Sequence, residues 1–151
     1  MTSSAPHVLD RLQGEWKFVR EVPGKATMIG RAHIAATSAD RARYDETAHV
    51  RLTDGTKLTG SQSYRYKRLP APANGFEVLF ADTGELFERL DFQSEPDGSL
   101  CADAEHLCGS DRYVSRFVLD AHDRLHVEHT VTGPGKNYVV RTVYRRASHK
   151  S

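Results

Sequence analysis

From Gly14 onward, apolar and polar residues alternate with a period of two between short turn signals. That period marks half-buried β-strands, because successive side chains point to opposite faces of a sheet. The alternation predicts about ten strands, at 15–22, 27–36, 42–52, 56–68, 76–81, 85–92, 99–108, 111–119, 124–132 and 136–146. Punctuation such as Pro23-Gly24, Asp54-Gly55, Thr83-Gly84, Gly109-Ser110 and Gly133-Pro134-Gly135 separates them. Loops this short join antiparallel neighbours, since parallel strands need long crossovers. A meander of ten strands leaves two unpaired edges, and closure into a barrel removes them. The expectation is an all-β antiparallel barrel, with a two-sheet sandwich as the alternative. Residues 6–13 carry Val8, Leu9 and Leu12 at near-helical spacing and predict one short helix ended by Gly14. The polar tail 146–151 is expected to fray.

With 151 residues, the chain reads as one domain, 1–151, large enough for a hydrophobic core of its own. Lys and Arg number 21 against 20 Asp and Glu, a net charge of +1, which argues against a nucleic-acid partner. No apolar run approaches the roughly 18–20 residues of a spanning helix, so no membrane partner is expected. Residues 1–13 lack the basic start and apolar stretch of a secretory signal. These features lead to the expectation of a soluble cytoplasmic protein. Two cysteines fit a reducing compartment. On one strand, Cys101 and Cys108 would lie roughly 23 Å apart, beyond the reach of about 7 Å for a disulfide.

Parity then assigns faces. In the third strand Arg43, Asp45, Thr47, His49 and Arg51 share the solvated face, leaving Tyr44, Glu46 and Ala48 inward. The same test turns Trp16, Phe18 and Arg20 inward, then Gln62 and Tyr64, then Leu86, Glu88, Leu90 and Phe92. His106 and Cys108, Asp111 and Tyr113, His129, and Tyr138 follow, with Lys136 at the rim. A purely structural core would not choose this set, because each buried polar group without a partner costs about 1–3 kcal/mol. The pattern fits a wet or liganded cavity.

Three features stand out inside it. Across the turn at Gly109-Ser110, Asp111 and Tyr113 return beside His106 and Cys108. That cluster reads as an acid–base site with Asp111 or Glu88 orienting His106. Other readings are a metal site using His106, Cys108 and Asp111 or His129, and a hydrogen-bonded cluster that only fixes the turn and the cavity wall. The spacing matches no standard zinc pattern. Next, Gly133-Pro134-Gly135-Lys136 could offer Lys136 to an anion, with Arg20 adding a second positive group, or could be a plain hairpin with a solvated lysine. Finally, Arg20 and Glu46 can meet as an internal ion pair. Trp16 is expected to plug one barrel end. No P-loop, nucleophile elbow, dinucleotide fingerprint or zinc-protease helix appears.

Leu12-x-Gly14-x-Trp16 after a short helix looks like the opening of lipocalin-type barrels. The later run is Tyr44-x-Glu46, Phe80-x-Asp82, Ala104-x-His106-x-Cys108-x-x-Asp111-x-Tyr113, Gly133-Pro134-x-Lys136-x-Tyr138 and Thr142-x-Tyr144-Arg145. It resembles the small barrel proteins of the domain of unknown function 6314 family. That resemblance implies a lipocalin-like, calycin-type fold and an intracellular ligand-binding or enzymatic role, without naming an activity. The chain departs from the family pattern in having Gln62 in place of an arginine and Glu88 in place of a histidine. Both changes remove positive charge from the interior, so an anionic guest would rest on Arg20 and Lys136.

The leading expectation is a barrel binding a small, partly aromatic organic molecule with an acidic or carbonyl group. Its expected contacts are Arg20, Tyr44, Glu46, Gln62, Tyr64, His106, Cys108, Asp111, Tyr113, His129, Lys136 and Tyr138. The alternative is an enzyme of proton transfer, isomerisation or hydrolysis, with His106 as acid or base, Asp111 or Glu88 as its carboxylate and Lys136 as electrostatic stabiliser. No cofactor is expected. A third reading, a haem or transition-metal carrier, would use His106 or His129.

Overall fold

The computed structural model describes residues 6–147. The strands are β1 (Gly14–Val22), β2 (Ala26–Ala36), β3 (Arg41–Leu52), β4 (Lys57–Arg68), β5 (Gly75–Phe80) and β6 (Leu86–Asp91). After them come β7 (Gln93–Ser94), β8 (Leu100–Cys108), β9 (Asp111–Leu119), β10 (Leu125–Gly133) and β11 (Lys136–Arg146). Each expected strand is present. The eleventh, β7, is a two-residue piece paired with Cys101 and Leu100, too short to carry an alternation.

All eleven strands form one antiparallel sheet in the order β6-β5-β4-β3-β2-β1-β11-β10-β9-β8-β7. The first and last long strands pair, from Trp16 opposite Arg146 to Glu21 opposite Arg141. This brings the sheet round on itself, and β6 packs against β8 at the seam. The result is a nearly closed barrel rather than a sandwich.

The helix α1 (Val8–Arg11) is half the expected length. His7 caps it, its Nδ1 accepting from the Leu9 amide at 3.1 Å, and Gly14 at φ +123° turns the chain into β1. Val8, Leu9 and Leu12 are buried and close one end of the barrel. Trp16 completes the plug, its indole Nε1 donating to the Leu12 carbonyl at 2.8 Å. The Arg146 guanidinium lies 3.9 Å from the Trp16 ring centroid and donates to the Gln13 carbonyl, the Arg11 carbonyl and Asp123 Oδ2. The expected fraying from 146 is therefore corrected: Arg146 is anchored on four sides, and the Ala147 amide donates to the Glu15 carbonyl. Residues 148–151 lie outside the described residues.

Inward parity holds for most of the barrel, including Phe18, Tyr44, Val78, Phe117 and Val127. Phe18 fits because it lies over Gly30, where a Cβ would sit 2.3 Å from its ring. Parity fails at the start of β6. Val78 pairs with Glu88 but Leu79 pairs with Leu86, so Phe87 is an extra, unpaired residue. This bulge resets the alternation. Leu86, expected inside, is 46% exposed, while Phe87 turns into the barrel beside Glu88. Leu58, Gly60 and Gln62 also have inward parity yet are exposed. No helix among the described residues is long and apolar enough to cross a membrane.

Candidate functional site

Above the plug, the interior changes character. The apolar closed end leaves a gap of only about 20 Å³ among residues such as Trp16, Phe76 and Leu125, about enough for one water. One layer higher lies a cavity of about 220 Å³, lined by side chains of β1, β3, β4, β5, β6, β9, β10 and β11. Gln62 is exposed and lines it, so the cavity reaches the surface beside β4. A larger hollow of about 540 Å³ lies outside the barrel, among Ile29, Arg51, Lys57 and Thr59. It holds none of the buried polar groups described below.

The first polar group of the cavity is built on Arg20. Its Nη1 and Nη2 bond Glu46 Oε2 and Oε1 at 2.8 and 2.9 Å. Nε donates to Thr142 Oγ1 at 2.8 Å, and Nη2 also reaches the Tyr144 hydroxyl at 3.2 Å. The Tyr44 hydroxyl donates to Glu46 Oε1 at 2.6 Å and lies 2.8 Å from that of Tyr144. Tyr44 has one proton and gives it to Glu46, so Tyr144 is the donor to Tyr44. Burial raises both phenols above their ordinary values and keeps them neutral. For Arg20, burial opposes the charge, but the bond to Glu46 and the negative surroundings prevail and raise its pKa. The sequence placed Arg20, Glu46 and Tyr44 together correctly. It left Thr142 and Tyr144 out of the site, although their inward parity on β11 was a usable signal.

The second polar group is Glu88 with His129. Glu88 is 3% exposed, and its Oε1 lies 3.2 Å from His129 Nε2. Among the described residues its Oε2 has no hydrogen-bond partner, and neither has Oγ of the fully buried Ser115, which lies opposite His129 in the β9–β10 ladder. Phe87 stacks between Tyr64 (6.1 Å, 13°) and His129 (6.2 Å, 21°), and Phe117 meets His129 edge-on at 6.0 Å. Phe87 had no signal in the sequence, because only the bulge turns it inward.

The remaining expected residues lie higher and apart. His106 stands directly opposite Tyr113 and packs edge-on against Phe80 and Phe87. No hydrogen bond among the described residues involves its side chain, so neither Asp111 nor Glu88 orients it. Asp111 instead accepts from Lys136 Nζ at 2.7 Å, a bond that holds the lysine above its usual pKa. It lies against Gly133, where a Cβ would meet the carboxylate at 2.3 Å. Cys108 is exposed, and both cysteines are free. Tyr138 lies under Lys25, with Nζ 5.2 Å from the ring centroid. No three His, Cys, Asp or Glu side chains among the described residues are grouped to hold a metal ion, so His106, Cys108 and Asp111 form no such set.

Fold and interior together define a calycin-type antiparallel β-barrel, plugged at one end and hollow in its polar middle. The chain belongs to the family of unknown function DUF6314, whose model matches residues 12–146. A search of curated proteins returns no match. Among solved structures it is similar to an S-type phycobiliprotein lyase from Guillardia theta, with 10% identity, 95% of this chain and 92% of that chain covered, and a TM-score of 0.58. A de novo designed fluorescence-activating β-barrel matches at 10% identity over 95% of this chain and 100% of that one, with a TM-score of 0.44. A redesigned β-barrel bound to DFHBI matches at 14% identity over 93% and 100%, also at 0.44. At 10% identity, the likeness to the lyase concerns the barrel fold.

Proposed function

We propose that this protein binds a small, partly aromatic organic molecule inside the barrel. The observation that carries the proposal is the contrast within one interior: about 20 Å³ of free space at the plugged end against about 220 Å³ in the polar middle. An apolar cavity of about 150 Å³ is enough for benzene, so this one suits a single substituted ring. The binding residues are Arg20, Tyr44, Glu46, Gln62, Tyr64, Glu88 and His129 from the cavity wall, with Phe87 and Phe117 as flat apolar faces. His106 and Tyr113 extend the wall upward through their contacts with Phe87. Cys108, Asp111, Lys136 and Tyr138 have no place in this proposal.

A thermal-shift screen of small ring compounds tests it, run on the wild type and on Val127→Phe, which narrows the cavity from β10. Ligands should raise the melting temperature of the wild type and lose that effect in the variant. Shifts of equal size in both proteins would place binding elsewhere.

A second reading rests on the Glu88–His129 pair. A carboxylate holding an imidazole at the wall of a cavity is the arrangement that general acid–base catalysis uses. On that reading His129, rather than His106, handles the proton. Turnover lost in His129→Gln, with ligand affinity kept within about tenfold, would establish it.

A further inference from the structure

The polar groups of the cavity are unbalanced. Its lining contains two basic side chains, Arg20 and His129, and each already holds a carboxylate: Glu46 through two bonds and Glu88 through one. Lys136 lies at the exposed rim and is taken by Asp111. On the acceptor side, Glu88 Oε2 is buried with no donor to it among the described residues. A carboxylate oxygen in that state is costly, and a donor brought by a guest removes the cost. A guest carboxylate would instead meet the charge of Glu88 and find both cations engaged.

We infer that the guest is a flat ring bearing N–H donors, of the aryl amidine or aryl amine class, docked on Glu88 Oε2, and not an acid. The inference rests on the binding reading above and names the ligand class of the same cavity. Three further observations agree with it. Tyr64, Phe87 and Phe117 present aromatic rings to the cavity, and ring faces attract cations. Glu88 lines the same cavity as Phe87 and His129 and is bonded to His129, so a ring against those side chains lies beside the Glu88 carboxylate. The volume of about 220 Å³ admits one ring with a short substituent and little more.

Benzamidine, benzamide and benzoate share a shape and differ in charge and donors, so titration calorimetry with these three decides the matter. Wild-type protein should bind benzamidine roughly tenfold or more tightly than benzoate, as expected for one charge-assisted hydrogen bond. Glu88→Gln should erase that preference, with the circular dichroism spectrum of the barrel unchanged. Benzoate binding as well as benzamidine, or a preference that survives Glu88→Gln, would overturn the inference. If Glu88→Gln fails to fold, the wild-type ranking of the three probes decides alone. Probes that bind without preference and are lost in Val127→Phe would overturn the donor inference while leaving the cavity as a binding site. Failure of all three to bind the wild type would overturn both.

Discussion

The two halves of the barrel interior are built by opposite rules. At the plugged end, polar atoms terminate on partners: Trp16 Nε1 on the Leu12 carbonyl, and Arg146 on two carbonyls and Asp123. The exception is Nε2 of His7, buried at the start of α1. The middle of the barrel carries the internal ion pair, three buried tyrosines, a carboxylate oxygen and a hydroxyl without partners, and a cavity. The first half is organised for stability. The second keeps polar groups that a stable core would satisfy or exclude, which is how binding sites differ from cores.

The largest effects should come from the ion pair and the plug. Arg20→Ala leaves the Glu46 charge buried without its partner, a loss of about 3–5 kcal/mol, read as a lower urea midpoint. A loss below about 1 kcal/mol would mean that water reaches Glu46 freely. Trp16→Ala opens the plug and should cost about 3–5 kcal/mol as well, but should leave the ligand preference of the remaining folded protein intact. Phe87→Ala should do the reverse. Half-buried at the cavity wall, it costs about half as much stability and abolishes binding. Equal behaviour of these two variants would erase the distinction between the halves.

Asp120 gives a smaller, pH-dependent test at the plugged end. Burial works against its charge, yet the bond from His126 and the amides of Arg124 and His122 hold its pKa at about 2. The unfolded value is about 3.9. A depressed carboxylate adds stability that is fully present above the unfolded value and is lost as pH falls through the folded one. The stability difference between wild type and Asp120→Asn should therefore be present at about pH 5 and shrink between about pH 4 and 2. A difference independent of pH would contradict the assignment.

The smallest effect is the most telling. Glu88→Leu removes a buried, half-satisfied carboxylate and should change the stability of the ligand-free protein by no more than about 1 kcal/mol, or raise it. A loss of more than about 2 kcal/mol in urea unfolding would make Glu88 a structural residue and equalise the two halves.

How much of this was legible in the sequence depended on whether alternation governed the element. Strand β3 kept strict parity and β4 kept it over its second half, so Tyr44, Glu46 and Tyr64 were placed correctly, as was Trp16 in the plug. The bulge at Phe87 has no signature in composition, so the face of Leu86 was misread and the aromatic centre of the cavity was missed. Pairings within the interior were legible only in part. Parity brings Arg20 and Glu46 to one face, but it cannot say that Glu88 reaches across the barrel to His129, 41 residues away, rather than to His106. Nor does it give height along the barrel axis, which separates Asp111 and Lys136 at the rim from Arg20 inside.

Native mass spectrometry of the gently purified protein, compared with its denatured mass, tests the central claim most directly. An occupied cavity predicts a reproducible extra mass of single-ring size that vanishes on denaturation and is absent from Val127→Phe. A folded wild-type protein that flies at its bare mass, and retains none of the ring probes when they are added, would contradict it.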